Sequence, residues 1–145
     1  MRIPLLTTIA LLISSIALAD DQKNHESMYG FLAGSYKVIG KEIGNNNTYY
    51  GTVRMISKGD HLSVTRIIKG TTFQGLGHIE HALEDDEIHV LRVRFRYYNI
   101  KYETTYQWSG DLYNYARISG HLYRPNIKTD SPGLETLFID HRASE

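Results

Sequence analysis

Aromatic and cationic side chains recur in the second half of the chain, and side chains of these types bind ligands. A tyrosine or tryptophan ring presents flat apolar area together with a hydroxyl or N–H group that orients a ligand. An arginine guanidinium binds a carboxylate, sulfate or phosphate through two parallel hydrogen bonds. If the fold brings such side chains to one surface, that surface suits a small amphipathic or anionic molecule. The candidate ligand-binding residues are Arg117, Trp108, Tyr106, Tyr115, Tyr102, Tyr113 and Phe95.

A row of arginines marks a second candidate surface. Within the segment Ile88–Tyr98, Arg92, Arg94 and Arg96 alternate with apolar residues, which is the period-two pattern of a half-buried strand. Such a row would suit an anionic surface partner, for example a lipid headgroup or a polysaccharide. However, the chain has 16 basic and 16 acidic residues, so it supplies no net field to attract one. We therefore expect a solvated face whose arginines have cross-strand partners.

Three histidines raise the question of a metal site. In a strand, His78 and Glu80 share one face, and a three-residue loop at Glu84–Asp86 would set His81 opposite His89. Two imidazoles begin a zinc or copper site, but a third ligand is required. The sequence fixes no third ligand, so we predict neither a metal nor another cofactor.

The sequence contains no recognised catalytic motif. It has no cysteine, no Gly-x-Ser-x-Gly elbow, no His-Glu-x-x-His helix and no phosphate-binding loop. Asp85 and Asp86 read as turn residues. We therefore expect a protein that is not an enzyme. The balanced charge also argues against a nucleic-acid partner, which would require a basic excess.

The elements that position these residues follow from short alternating runs after Gly34. The connections are nearly all of hairpin length, and several carry Gly, Asn or Asp where a turn requires positive φ. Consecutive hairpins of eight strands most simply close into an antiparallel up-and-down β-barrel, which leaves no exposed edge. A two-sheet β-sandwich is the alternative. The predicted strands lie near Ser35–Ile43, Tyr49–Ile56, His61–Lys69, Thr71–Leu83, Glu87–Tyr98, Lys101–Ser109, Leu112–Tyr123 and Leu134–His141.

Two hairpin registers predict which side chains point inward. A two-residue loop at Gly110-Asp111 places Trp108 opposite Tyr113. A loop at Asn99-Ile100 precedes it, and because isoleucine is unfavourable at positive φ, this loop is open to a slip of two residues. Such a slip keeps every side chain on its own face. The predicted inward surface comprises Leu91, Val93, Phe95, Tyr97, Tyr102, Tyr106, Trp108, Tyr113, Tyr115 and Arg117.

Two interpretations of this inward surface remain open. In one, the aromatic residues line a pocket with Arg117 at its charged end. In the other, they fill the barrel and Arg117 pairs with an internal acid such as Glu80 or Glu103. An eight-stranded barrel is just wide enough for either arrangement. The 11 tyrosines keep the pocket under consideration, because a dry core favours residues without a hydroxyl.

The N-terminus has the pattern of a secretory signal peptide. Arg2 precedes the apolar run Ile3–Ile16, which is short for a membrane span, and Ala17-Leu18-Ala19 supplies a small-x-small cleavage site. We predict cleavage after Ala19, a secreted or periplasmic location, and no transmembrane segment after cleavage; an uncleaved anchor is the alternative. The predicted organisation is a signal peptide at 1–19, a leader with a short apolar plug at 20–33, and a single barrel domain at 34–145.

The start of the first strand carries a family resemblance. The segment Phe31-Leu32-Ala33-Gly34-Ser35-Tyr36 resembles the calycins, the superfamily of lipocalins, fatty-acid-binding proteins and avidin-like barrels. Calycins begin this strand with Gly-x-Trp, whereas tyrosine takes the place of tryptophan here, and the second lipocalin motif is absent. The rhythm of Tyr50-Gly51-Thr52-Val53 is also similar to that of small exported bacterial barrels. The resemblance implies the fold and suggests ligand binding, without assigning a ligand to any residue.

Together these patterns predict an exported, non-enzymatic barrel that binds a small amphipathic or anionic molecule in its lumen. The alternative is a structural or interaction module of the cell envelope or extracellular space that acts through its outer face.

Overall fold

The chain folds into a closed barrel of eight antiparallel strands, in which each strand bonds to the next and the last returns to the first. The computed structural model describes residues 26–84, 87–110 and 116–144. The predicted up-and-down barrel is confirmed, and the two-sheet sandwich is excluded. The strands are β1 Gly34–Lys41, β2 Thr48–Ser57, β3 Leu62–Ile68, β4 Thr71–His81, β5 His89–Tyr97, β6 Ile100–Gly110, β7 Ala116–Tyr123 and β8 Gly133–Ile139.

Alternating side chains build each strand and divide it between lumen and solvent. In β1, Tyr36 and Val38 are buried, whereas Lys37 and Ile39 are exposed. This alternation follows from the pleat, which directs successive side chains to opposite faces. The strand ends define two ends of the lumen. We call the end at which β1 begins the closed end and the opposite end the mouth.

A short helix packs at the closed end. Residues 26–32 are helical, and the Leu32 side chain is fully buried in the core. The Ile79 backbone N–H donates to the Tyr29 hydroxyl over 3.0 Å, and the Tyr36 hydroxyl donates to the Leu32 carbonyl over 2.8 Å. Burial raises the pKa of Tyr36 to about 12. The helix is therefore joined to the barrel by hydrogen bonds as well as by apolar contact.

The hairpin between β5 and β6 confirms the predicted inward face. Its turn is Tyr98-Asn99, with φ of 46° and 65°, and not Asn99-Ile100. Leu91 therefore pairs with Tyr106 and Phe95 with Tyr102, a slip of two residues from the predicted pairing. Because the slip is even, Leu91, Phe95 and their neighbours keep their predicted face. Asparagine tolerates positive φ better than isoleucine, which explains the position of the turn.

The hairpin between β6 and β7 corrects the prediction for Arg117. Trp108 pairs with Ile118 and not with Tyr113, a shift of five residues. Because the shift is odd, the two faces of β7 are exchanged: Ile118 is buried and Arg117 is exposed on the outside. The interior position predicted for Arg117 is wrong. The cause is the connection, which is longer than the two-residue loop assumed from Gly110-Asp111.

Candidate ligand-binding site

A cavity of about 270 Å³ opens at the mouth of the barrel. Its walls come from the ends of β1, β3, β5 and β7 and from the starts of β2, β4 and β6. The helix lies at the opposite end, so it does not cover this opening. We call this space the mouth cavity; its lining residues are Glu42, Ile43, Tyr49, Arg66, Ile68, Lys69, Phe73, Phe95, Tyr97, Tyr102, Leu122 and Arg124.

Aromatic rings form one wall of the mouth cavity across β4, β5 and β6. The Phe95 and Tyr102 rings are stacked, with centroids 5.6 Å apart and planes 16° apart. Phe73 lies 5.2 Å from Phe95 and 5.1 Å from Tyr97, measured between ring centroids. These spacings are within the range of favourable aromatic contacts. The wall offers a ligand a flat apolar surface with tyrosine hydroxyls near it.

Cationic groups lie at the rim of the mouth cavity. Lys69 Nζ lies 2.6 Å from Glu42 Oε1, and the hydrogen bond from Lys69 holds the pKa of the Glu42 carboxyl below its ordinary value. The Arg124 guanidinium lies 5.9 Å from the centroid of the Tyr102 ring. Among the rim residues, two cations therefore face one carboxylate, and the rim has an excess of positive charge.

The floor of the mouth cavity is a buried ion pair. Arg66 is 1% exposed and Glu135 is 2% exposed, and Arg66 Nη2 donates to Glu135 Oε1. The hydroxyls of Tyr49 and Tyr106 both donate to the Glu135 carboxylate, while Arg66 Nη1 donates to the Tyr106 oxygen over 3.0 Å. The guanidinium also lies 4.6 Å from the Phe95 ring centroid. We call these four residues the floor cluster: Tyr49, Arg66, Tyr106 and Glu135.

The surroundings of the floor cluster raise the pKa values of its arginine and its two tyrosines. Burial lowers the pKa of Arg66, but the charge of Glu135, the hydrogen bond to it and the neighbouring Tyr49 and Tyr106 together outweigh this effect and leave that pKa above its ordinary value. Burial and the negative charge of Glu135 both raise the pKa of Tyr49 and of Tyr106. The guanidinium therefore stays charged and the phenols stay protonated near neutral pH. The cluster is a fixed structural floor, with its cation already paired.

Two glycines allow the tyrosines to reach Glu135. In β8, Glu135 pairs with Gly40 on one side and with Gly120 on the other. Gly40 in turn pairs with Tyr49 and Gly120 with Tyr106, so each tyrosine extends across a whole intervening strand. A Cβ atom at Gly40 would lie 2.3 Å from the Tyr49 ring. A side chain at Gly40 would therefore block the path of Tyr49.

The structure separates the predicted binding residues into several groups. Phe95 and Tyr102 line the mouth cavity, whereas Tyr106 is fully buried beneath it as a member of the floor cluster. Trp108 lies toward the closed end, half-buried against the apolar core. Arg117 is exposed on the outer face. The remaining candidates, Tyr113 and Tyr115, lie outside the described residues.

Sequence reasoning missed three members of the floor cluster, namely Tyr49, Arg66 and Glu135. A signal for two of them was present. Arg66 occupies an inward position of β3, in the same alternation as the buried Leu62 and Val64. Glu135 likewise occupies an inward position of β8. A charged residue at an apolar position of a strand predicts a buried partner of opposite charge.

Two of the three arginines in the outer row pair with acids across the sheet, as expected. Arg92 Nη1 donates to Glu80 Oε2 over 2.9 Å, and Arg94 forms ion pairs with both Glu80 and Glu103. The two acids considered as internal partners of Arg117 are therefore engaged on the outside by other arginines. Arg96 is exposed and lies opposite Lys101.

The histidine pairing is confirmed, but the described residues do not assemble a metal site. His81 lies opposite His89, with ring centroids 4.7 Å apart. Among the described residues, no group of three His, Cys, Asp or Glu side chains could hold a metal ion.

Comparison with known protein families and with curated proteins finds no match to this chain. In the part of the chain that the structure describes, no helix combines the length and apolar character needed to cross a membrane.

Proposed function

We propose that this chain is an exported, calycin-like barrel that binds a small amphipathic anion in the mouth cavity and has no enzymatic activity. The observation that carries the proposal is the pairing of an aromatic wall with a cationic rim around one opening. Binding sites of this kind are concave and mostly apolar, with a few polar groups that fix the orientation of the ligand. The mouth cavity has each of these properties.

The volume of the mouth cavity limits the size of the ligand. Its 270 Å³ lies just below the range of about 300–1,000 Å³ that is usual for drug-sized ligands. A short acyl chain or a single ring system fits this volume. A long-chain lipid would have to extend through the opening into solvent.

The charges favour one orientation of such a ligand. Its apolar part would lie against Phe95 and Tyr102, and its anionic group would meet Arg124 at the rim, beside the Lys69–Glu42 ion pair. Arg66 is unsuited to the anionic group, because its guanidinium already bonds Glu135. Arg66 instead shapes the floor on which the ligand rests.

The sequence supports the exported, calycin-like part of the proposal. The signal-peptide pattern lies at residues 1–19, which are outside the described residues. The Gly34-x-Tyr36 pattern falls where β1 begins, which is where calycins have their glycine and aromatic residue. The ligand itself is not transferred from those families.

Calorimetric titration with sodium octanoate tests the proposal, with octan-1-ol as the uncharged control. Octanoate should bind roughly 10- to 150-fold more tightly than octan-1-ol, because hydrogen bonds to charged groups contribute about 1.5–3 kcal/mol. Arg124→Gln should remove most of this preference. Arg117→Gln is the matched control, since it neutralises an exposed arginine away from the mouth.

The proposal fails if neither octanoate nor the fluorescent anion 1-anilinonaphthalene-8-sulfonate binds to the protein. It also fails if Arg117→Gln weakens octanoate binding as much as Arg124→Gln does.

A further inference from the structure

Large apolar side chains are exposed together on the outside of the barrel, between β8 and β3. Their exposed fractions run from 43% for Ile67 to 82% for Tyr50. Scattered exposed apolar residues are ordinary, whereas a contiguous group marks an interaction site. We call this surface the basic–apolar face; its residues are Ile39, Tyr50, Ile67, Leu134, Phe138, Lys37, Lys41 and Lys69.

The strand registers intersperse the lysines of β1 with apolar side chains. Lys37 pairs with Phe138, and Lys41 pairs with Leu134. Ile39 points outward from β1 between these two lysines. Directly opposite side chains in a sheet have Cβ atoms about 4.5–5.5 Å apart. Each lysine therefore has an apolar neighbour within contact distance.

The same pattern continues onto β2 and β3. Tyr50 lies opposite Ile39. Thr52 lies between Lys37 on one side and Ile67 on the other. The basic–apolar face therefore spans four adjacent strands without interruption.

Charge on this face has a single sign. The four strands, whose residues are all described, direct Lys37, Lys41 and Arg54 outward and no acidic side chain. Acids occur only at the margins of these described strands. Glu42 follows β1 and lies 2.6 Å from Lys69, and Asp140 follows β8 and lies 3.9 Å from Lys37, so the four cations Lys37, Lys41, Lys69 and Arg54 outnumber the two acids. The partner that complements this face must therefore be anionic.

The opposite outer face, formed by β4 to β7, has a different composition. There Glu80 and Glu103 alternate with arginines in closed ion pairs. Arg92 and Arg94 are therefore paired with acids there, whereas Arg54, beside the basic–apolar face on β2, is exposed to solvent.

Two kinds of partner fit the basic–apolar face poorly. A symmetric contact with a second copy would place the same lysines against each other, because both copies present the same patch. A peptide strand cannot extend the sheet here, because a closed barrel has no free edge. The partner must therefore engage side chains and carry negative charge over a broad area.

We propose that the basic–apolar face docks on the surface of a lipid bilayer that contains anionic headgroups. Lysine stems lie along apolar surface while their ammonium groups stay in water, which matches the phosphate level of a bilayer. Tyrosine is enriched at the same depth, and the highly exposed Tyr50 suits that position. Ile39, Ile67, Leu134 and Phe138 would insert between the headgroups. This docking does not require the mouth cavity to hold a ligand.

Vesicle co-sedimentation tests the docking, with phosphatidylcholine vesicles that contain or lack phosphatidylglycerol. The full chain is used throughout, so any contribution of its N-terminal residues is common to all variants. The double variant Lys37→Glu/Lys41→Glu should reduce binding to the anionic vesicles by at least about thirtyfold, since each of the two basic residues near such a surface contributes about 1 kcal/mol. The double variant Tyr50→Ser/Ile67→Ser should also weaken binding to these vesicles. This loss should persist at high salt, because it comes from lost apolar contact.

The matched control is Arg96→Glu/Lys101→Glu, which makes the same change in charge on the opposite face. It should leave vesicle binding close to that of the original chain. Equal losses in the two double variants would overturn the proposal, because binding would then follow net charge alone. A concentration-dependent dimer in sedimentation velocity that Tyr50→Ser abolishes would also overturn it, in favour of self-association.

Discussion

The two halves of the lumen are built from the same strands, yet they differ in kind. Strand β3 places Leu62 and Val64 in the half near the helix and Arg66 at the floor of the mouth cavity. Leu62 and Val64 are 0% exposed and belong to the apolar core. The closed half is therefore a filled core, and the mouth half is a pocket above a polar floor. Each of the two interpretations of the inward surface, a pocket and a filled core, describes one half of the barrel, except that both placed Arg117 inside, whereas Arg117 lies outside.

The floor cluster is the boundary between the two halves. A charged pair in the lumen costs desolvation energy, which its mutual attraction and hydrogen bonds must offset. Here the Glu135 carboxylate receives donors from Arg66, Tyr49 and Tyr106. This saturation lets the barrel hold a polar layer without opening the apolar core to water. We expect variants that disturb the boundary to affect both halves, and variants within one half to affect that half alone.

The largest effect is expected from Glu135→Gln. The substitution leaves the Arg66 guanidinium buried without its counter-charge, and breaking such a pair costs about 3–5 kcal/mol. Urea unfolding followed by circular dichroism measures the loss. Glu80→Gln, on the outer face, is the control and should cost no more than about 1 kcal/mol. Equal losses from the two variants would show that the floor cluster is no more important than a surface pair.

Leu91→Ala separates the closed half from the mouth half. Leu91 is 0% exposed, and removing a buried leucine side chain costs about 2–5 kcal/mol. Octanoate affinity should stay unchanged in the folded protein. The reciprocal variant Tyr102→Ala should lower octanoate affinity about tenfold, through loss of aromatic contact, with a smaller change in the unfolding free energy. If each variant changes octanoate affinity and the unfolding free energy to the same extent as the other, the lumen is not divided into a filled core and a separate pocket.

Gly40→Ala tests the path of Tyr49 to Glu135. The new methyl group would lie 2.3 Å from the Tyr49 ring, and overpacking of this kind costs about 1–3 kcal/mol. Thermal unfolding measures the cost. Gly30→Ala is the matched control, because no described atom beyond the adjacent residues and the helix's own backbone lies within 4 Å of the added methyl group and alanine favours a helix. If the Gly40→Ala protein were as stable as the Gly30→Ala control, the Tyr49 side chain could not pass over Gly40 of β1 to reach Glu135.

The smallest effect concerns alkaline pH. The pKa of Tyr36 rises from 10.0 to about 12 on folding, so the folded chain holds this proton more tightly than the unfolded chain. The resulting stability is complete below pH 10 and is lost as the pH rises toward 12. The free energy of unfolding should therefore fall across this window in urea titrations. Tyr36→Phe should make the fall less steep, and an unchanged slope would contradict the burial of this hydroxyl.

Period-two alternation was sufficient to predict the strands and the barrel. It also predicted the inward face of β5, because the slip at Tyr98-Asn99 is even. It could not give the inward face of β7, because the connection after Gly110 is longer than a tight turn and shifts the register by an odd number. An odd error in the register of a hairpin exchanges the two faces of a strand, and for this reason Arg117 was predicted inside the lumen.

The floor cluster shows the limit of local patterns more clearly. The alternation in β3 and β8 places Arg66 and Glu135 inward, but their contact depends on closure of the barrel between β8 and β1. The two residues are 69 positions apart. Neither a turn nor a single hairpin register connects them, so their pairing emerges only from the complete fold.

The location of the bound ligand can be measured directly with a brominated carboxylate that quenches tryptophan on contact. The chain has one tryptophan, Trp108, which lies toward the closed end. We predict weak quenching by 2-bromooctanoate in the original chain. In the Trp108→Phe/Tyr102→Trp protein, whose tryptophan lies in the mouth wall, quenching should be strong and should saturate with the octanoate affinity. Strong quenching of Trp108 with weak quenching of the relocated tryptophan would contradict binding at the mouth.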